Sequence, residues 1–276
     1  MSELLVHAAS TPAEDGTIVN VTPESAGWEY IGFEVVSLSA GATAERDCGP
    51  RELCAVVISG VVHIASEHGE WFDLGGRSDP WAGKPDAAYL PPGSHVALRA
   101  ADGGAEVALC WAPAPSGGAD PRVLPGEEIE VEVRGRGVHE RYIRPILMAD
   151  QGAESLLVVE VLTPEGHWSS YPPHKHDHDD PPRQSRLEET YYNRIKPERG
   201  FGLMRVYAYD TGLDEAIAVR DRDCVLVPRG YHTVSAPPGY ELYYLNVMAG
   251  PSRFWAVVND PDHEWTLNGS NRNQTP

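Results

Sequence analysis

Two segments of this chain repeat one pattern, and that repetition limits the fold more than any other feature. "DAAYLPPGSHVAL" begins at Asp86 and "DCVLVPRGYHTVS" begins at Asp223. Each carries P-x-G-x-H, as Pro91, Gly93 and His95 in one copy and Pro228, Gly230 and His232 in the other. Upstream, Glu52 opens "ELCAVVISG" and Glu189 opens "ETYYNRI", each 43 positions before its histidine. "GFEVVSLSAG" from Gly32 resembles "VVEVLTPEG" from Val158, and "GAEVALC" from Gly104 resembles "GYELYYL" from Gly239. An ordered series of matches at shared spacing marks a duplicated unit. The units are expected at 1–130 and 135–267, joined near "PGEEIEVEVRGRG", with a polar tail over 268–276.

Each unit reads as strands. "SLLVVEVLT", "GLMRVYAY", "CVLVP" and "ELYYLNVMAG" are rich in Val, Leu and Tyr, and turns such as "PPG", "ERG" and "PRG" bound them. No segment of comparable strength keeps a 3.6-residue apolar period with caps, and 24 prolines disfavour a helical bundle. The reading is all-β, as sandwiches or small barrels whose mouths can hold a ligand. A net charge of −19 argues against nucleic acid and anionic membrane as partners. The four cysteines form no C-x-x-C pair, "MSELLVHAAS" lacks the marks of a signal peptide, and no apolar run is long enough to span a membrane. From these features a cytoplasmic protein is expected. Apolar strands leave room for a homo-oligomer whose symmetry the residues do not fix.

The copies differ in one place that matters for chemistry. Glu34 and Glu52 are 18 positions apart, whereas the matching Glu160 and Glu189 are 29 apart. The additional residues of the second copy fall where "HKHDHDD" lies. On an extended strand, positions i and i+2 share a face, so His174 and His176 can converge on one ion while Lys175 points away. Glu189 opens the next strand, Tyr191 and Asn193 share its face, and Glu188 takes the opposite one. His232 follows a turn in which Gly230 can adopt a backbone conformation that other residues resist. Three neutral imidazoles and one carboxylate suit a borderline divalent cation.

H-x-H, a Glu opening the next strand, then P-x-G-x-H some forty residues on resembles the metal motif of the cupin superfamily. The longer strings "SSYPPHKHD", "LEETYY", "LVPRGYH", "YYLNVMAG" and "NDPDHEW" resemble a narrower family, the 5-deoxy-glucuronate isomerases of myo-inositol catabolism. Those enzymes are related to the 5-keto-4-deoxyuronate isomerases of pectin breakdown. The resemblance implies two tandem cupin (jelly-roll β-barrel) domains, a bicupin. It maps one divalent metal ion onto His174, His176, Glu189 and His232, with zinc expected and manganese, iron or nickel as alternatives. The first half lacks H-x-H, so Glu52 and His95 become structural relics there, and His178 is a loop residue.

The implied reaction interconverts 5-deoxy-D-glucuronate and 5-dehydro-2-deoxy-D-gluconate, an aldose–ketose isomerisation through a metal-stabilised enediolate. It needs an acid/base group, and Tyr191 is the candidate with Asp177 as the alternative. A uronate bound by an anionic protein also needs a local cation. Arg229, inside the P-x-G turn, and Arg205 are the expected carboxylate binders. Two rival functions fit a cupin site: an Fe(II) dioxygenase, and a sugar-acid-binding bicupin without turnover.

Overall fold

In the computed structural model, which describes residues 2–268, nearly every element is a strand. The expected tail lies outside the described residues from position 269 onward. Eight strands between Thr17 and Leu124 form one antiparallel sheet system, built on the long strands Arg51–Ser66 and His95–Pro113. Both long strands bend, with register shifts between Val57 and Val62, so that one ribbon supplies both walls of a barrel.

The second half divides its walls between two sheets. One has seven strands, in the order Leu5–Val6, Cys224–Val227, Glu188–Lys196, Glu241–Ala249, Leu157–Thr163, Arg141–Leu147 and Glu132–Arg134. The facing sheet contains Gly202–Ala208, Tyr231–Ser235 and Trp168–Lys175. Where the first half bends its ribbon, the second breaks it with "KPERG" and "APPGY". The additional residues of the second copy fold as a hairpin of Asp177–Asp180 and Gln184–Arg186. Leu5–Val6 departs from the 1–130 boundary. It pairs with Val225 and Cys224, covering an edge of the second half's sheet that would otherwise expose unpaired N–H and C=O groups.

Three apolar clusters explain why the strands read as almost unbroken hydrophobic runs. Leu53, Val57, Leu98 and Leu109 fill the first barrel, and Val159, Tyr191, Met204 and Val234 fill the second. Between the barrels, Cys54, Val56 and Cys110 pack against Val158, Tyr192 and Val247. The central strands are therefore buried on both faces, and any polar side chain on them needs a partner.

Glu52 and Glu188 are two such side chains. The Glu52 carboxylate accepts from the backbone N–H of Glu154, Ser155 and Leu156 at 2.8, 2.6 and 2.7 Å, and from the Tyr89 hydroxyl at 2.6 Å. Glu188 reciprocates across the interface, accepting from the N–H of Glu29, Tyr30 and Ile31 at 2.6, 2.8 and 3.0 Å. The equal spacing of 43 misaligns these residues by one. Leu53 pairs with Leu90, just before Pro91, as Glu189 pairs with Val227, just before Pro228. The positional counterpart of Glu189 is thus Leu53, and Glu52 corresponds to Glu188. A one-residue slip exchanges the faces of a strand. Glu52→Gln and Glu188→Gln each put an amide against backbone donors that need an anion. Each is expected to lower stability by about 2–4 kcal/mol, read as a reduced denaturation midpoint in urea.

Candidate metal centre

Each potential ligand is placed by strand alternation. Glu189 and Tyr191 point into the second barrel from Glu188–Lys196. His174 and His232 are register partners in adjacent strands, which puts them on one face. His176 lies just beyond the end of its strand, with its ring centroid 6.4 Å from that of His174 and 5.2 Å from that of His232. Lys175 points away, to Asp177 at 3.2 Å and over the Tyr231 ring. Gly230 has φ 93°, and a Cβ there would stand 2.5 Å from the Tyr207 carbonyl oxygen, so the turn that delivers His232 admits only glycine.

Ligand atoms of His176, Glu189 and His232 all lie within 4.8 Å of one another, and all three residues are buried. Glu189 Oε2 is 3.0 Å from His176 Nε2 and 3.1 Å from His232 Nε2. The second contact is close but lacks hydrogen-bond alignment, leaving His232 Nε2 buried without a partner. The far nitrogens have partners: His176 Nδ1 lies 2.9 Å from the Leu187 carbonyl and His232 Nδ1 3.1 Å from the Gly230 carbonyl. With the protons on Nδ1, both Nε2 lone pairs face the carboxylate, an arrangement that calls for a cation between them. Burial works against the charge on Glu189, but His232 and His176, when they are protonated on Nε2 as well, outweigh it and hold the carboxyl at about 2. Burial also opposes charge on His176, and Glu189 more than compensates, raising its pKa. His174 stands next to this group, its ring centroid 4.7 Å from that of His232. Burial and the neighbouring His232 and His176 push its pKa well down, so it is a neutral imidazole. The donor set of imidazole nitrogens and one carboxylate fits a divalent ion.

Of these, His174 and Glu189 open onto a cavity of about 330 Å³ lined also by Tyr191, Tyr244, Asn246 and Trp255. The Tyr191 hydroxyl lies 2.9 Å from Ser170 Oγ, and burial together with Glu189 raises its pKa well above that of a free phenol, so it carries its proton.

Three other expectations are corrected by position. Asp177 faces away from the cavity: its carboxylate accepts from the Gly230 N–H at 2.7 Å and pairs with Lys175, which fastens the H-x-H segment to the turn before His232. Arg205 points outward because Met204 and Val206 on either side point inward; it pairs with Asp214 at 2.8 Å and stacks on Tyr207. Arg229 pairs with exposed Asp210 at 2.8 Å, outside the cavity. The arginines that do line it are Arg134 and Arg141, which sit beside the linker rather than the histidine motif. Alternation along Arg141–Leu147 could have found Arg141, since 141, 143 and 145 share the cavity face. In the first half His95 is exposed and pairs with Asp47, and with Leu53 at the Glu189 position the ligand set is missing twice over.

The chain is similar to known proteins over nearly its whole length. The KduI/IolB family profile matches residues 4–266. The 5-deoxy-glucuronate isomerase of Geobacillus kaustophilus is 49% identical over 267 residues, covering 97% of this chain and 96% of that protein. The enzyme of the same name from Bacillus subtilis strain 168 is 39% identical over 271 residues, covering 97% and 99%. The crystal structure of an IolB-like protein from Salmonella typhimurium LT2 superposes with a TM-score of 0.92 at 40% identity, over 97% of this chain and 100% of that one. An oxalate decarboxylase of Bacillus subtilis, at 16% identity and a TM-score of 0.63 over 94% of this chain and 80% of its own, shares the bicupin fold.

His176→Ala and Glu189→Gln are each expected to reduce bound divalent metal from about one equivalent to background in elemental analysis, with an unchanged far-ultraviolet circular dichroism spectrum. His95→Ala is expected to keep the parent's metal content.

Proposed function

This chain belongs to the KduI/IolB family, and from that membership together with the site we infer that it is a 5-deoxy-glucuronate isomerase of inositol catabolism. The observation that carries this is identity of 39–49% over nearly the full chain to several isomerases of that name. The reaction interconverts 5-deoxy-D-glucuronate and 5-dehydro-2-deoxy-D-gluconate. It takes a proton from the carbon beside a carbonyl and returns one to the neighbouring carbon, while negative charge builds on the sugar's oxygens.

Four residues are proposed to hold one divalent ion: His176, Glu189 and His232 as the buried group, with His174 as the fourth ligand from the cavity side. Zinc suits this donor set, and manganese, iron and nickel are the alternatives. Such an ion supplies the charge stabilisation that an isomerisation of this kind needs. The protein's own groups do the rest. The Leu187 and Gly230 carbonyls fix both imidazoles with Nε2 inward. Tyr191, protonated and hydrogen-bonded to Ser170, presents a phenolic proton to the cavity and is assigned the acid role. Trp255, Met248 and Val161 line the same cavity with apolar surface and keep bulk water from the reacting carbons.

Among the described residues no helix is long and apolar enough to cross a membrane. The net charge of −19 disfavours nucleic acid and anionic lipid, and we place the enzyme in the cytoplasm.

The test is turnover of 5-deoxy-glucuronate followed by proton magnetic resonance in the absence of oxygen. The ketose product is expected, with activity lost on chelation and recovered with about one equivalent of divalent ion. Oxygen consumption coupled to substrate loss would instead establish the dioxygenase reading. Tight uronate binding with no product would establish a binding protein.

A further inference from the structure

The hairpin of Glu132–Arg134 and Arg141–Leu147, which lines the cavity, sets two like charges side by side. Arg134 and Arg141 are directly paired across neighbouring antiparallel strands. Like charges in that position are destabilising. Arg134 has a counterion, Glu132, at 2.6 Å. Arg141 has none: among the described residues no carboxylate reaches its guanidinium, and its one hydrogen bond is to the His139 carbonyl at 3.2 Å. The fully buried arginines are neutralised by carboxylates, Arg77 and Arg144 by Glu160 and Arg194 by Glu106, while the half-buried Arg253 and Arg122 rest on backbone carbonyls away from the cavity. Burial pushes the Arg141 pKa down, and the like charge of Arg134 acts in the same direction. Arg141 is thus a half-buried cation facing the metal cavity with its counterion site open.

The turn beside it is tight. Gly135 has φ 81°, and a Cβ at that position would stand 2.1 Å from the His139 carbonyl oxygen, the same carbonyl that accepts from Arg141, so this turn admits only glycine. The cavity adjoins a second cleft that Arg134, Arg136, His139 and Arg141 line, with no carboxylate among the described residues there. In a chain with 41 acidic and 22 basic residues, an entrance of this sign is a selective feature. No such open cation exists at Arg205 or Arg229, whose charges are met outside the cavity by Asp214 and Asp210.

We propose that Arg141 is the anchor for the substrate's carboxylate, holding the acid end of the uronate in the cavity that His174 and Glu189 also line, with the Arg134–Arg136–His139 entrance drawing the anion in. The assignment rests on the isomerase reading and deepens it. A guanidinium offers a carboxylate two parallel N–H donors, which orients the chain of the sugar as well as holding it. With the acid end fixed, the carbonyl end is directed to the metal group and to Tyr191.

The test compares metal-loaded full-length wild type with Arg141→Met. For 5-deoxy-glucuronate the variant is expected to lose about 100-fold in kcat/KM, mostly through KM. Its metal content should be unchanged. Its Tm should be equal or higher, because no carboxylate is orphaned and a like-charge pair is removed. A purely structural role would lower Tm. Arg141→Lys should recover only part of the loss, and Arg205→Ala and Arg229→Ala should stay within about threefold of wild type. On the analogue with a primary alcohol in place of the carboxylate, wild type and Arg141→Met should be equally poor. A variant within about threefold of wild type on the acid, or one equally impaired on acid and alcohol, overturns the anchor. If wild type turns over neither compound, the isomerase reading fails, and calorimetric binding of the uronate still decides the anchor. Binding that disappears in Arg141→Met supports it, and binding that is unaltered or absent from wild type overturns it.

Discussion

The constraint on which this protein depends is that its central sheets are buried on both faces. A polar side chain there has no water to turn to, so each must find a partner inside the molecule. The solutions cross the interface in both directions. Glu52 captures three backbone N–H groups of the second half, and Glu188 captures three of the first. Glu160 is held by Arg77 of the first half, while Glu106 of the first half is held by Arg194 and Arg222 of the second. The halves are joined by charge-assisted bonds set within an apolar interface, and neither is complete alone.

That arrangement bears directly on the site. Glu188 and Glu189 are consecutive, so one strand delivers one carboxylate to the interface and the next to the metal group. Fixing Glu188 fixes the rotation of the strand, and with it the direction of Glu189 and Tyr191. Asp177 has a similar part from the other side, tying the H-x-H segment to the turn that carries His232. The carboxylate reading proposed for the cavity follows the same logic in reverse. The fully buried arginines Arg77, Arg144 and Arg194 are each neutralised by a carboxylate, whereas half-buried Arg141 has none and faces the cavity.

Much of this was legible in the residues. The duplication showed through because P-x-G-x-H and its flanking strands survive in both halves. The histidines showed through because period-two alternation is set by local backbone geometry, which sequence spacing reports directly. Glu52 was misread for a related reason: a shift of one position is small on the page and exchanges the two faces of a strand in space. Arg205 and Arg229 were misread because nearness to a motif along the chain does not place a side chain in the same cavity. Alternation turned Arg205 outward, and Asp210 holds Arg229 outside.

By itself the sequence determined the all-β duplication, the half that keeps the ligands, and the family, since each depends on residue type and local spacing. Tertiary structure decided which carboxylate joins the histidines and which binds the other half, and which arginines meet the cavity. Those choices turn on how strands from distant parts of the chain are rotated and paired. Burial on both faces makes that rotation all-or-none: each side chain is committed either to the barrel or to the interface.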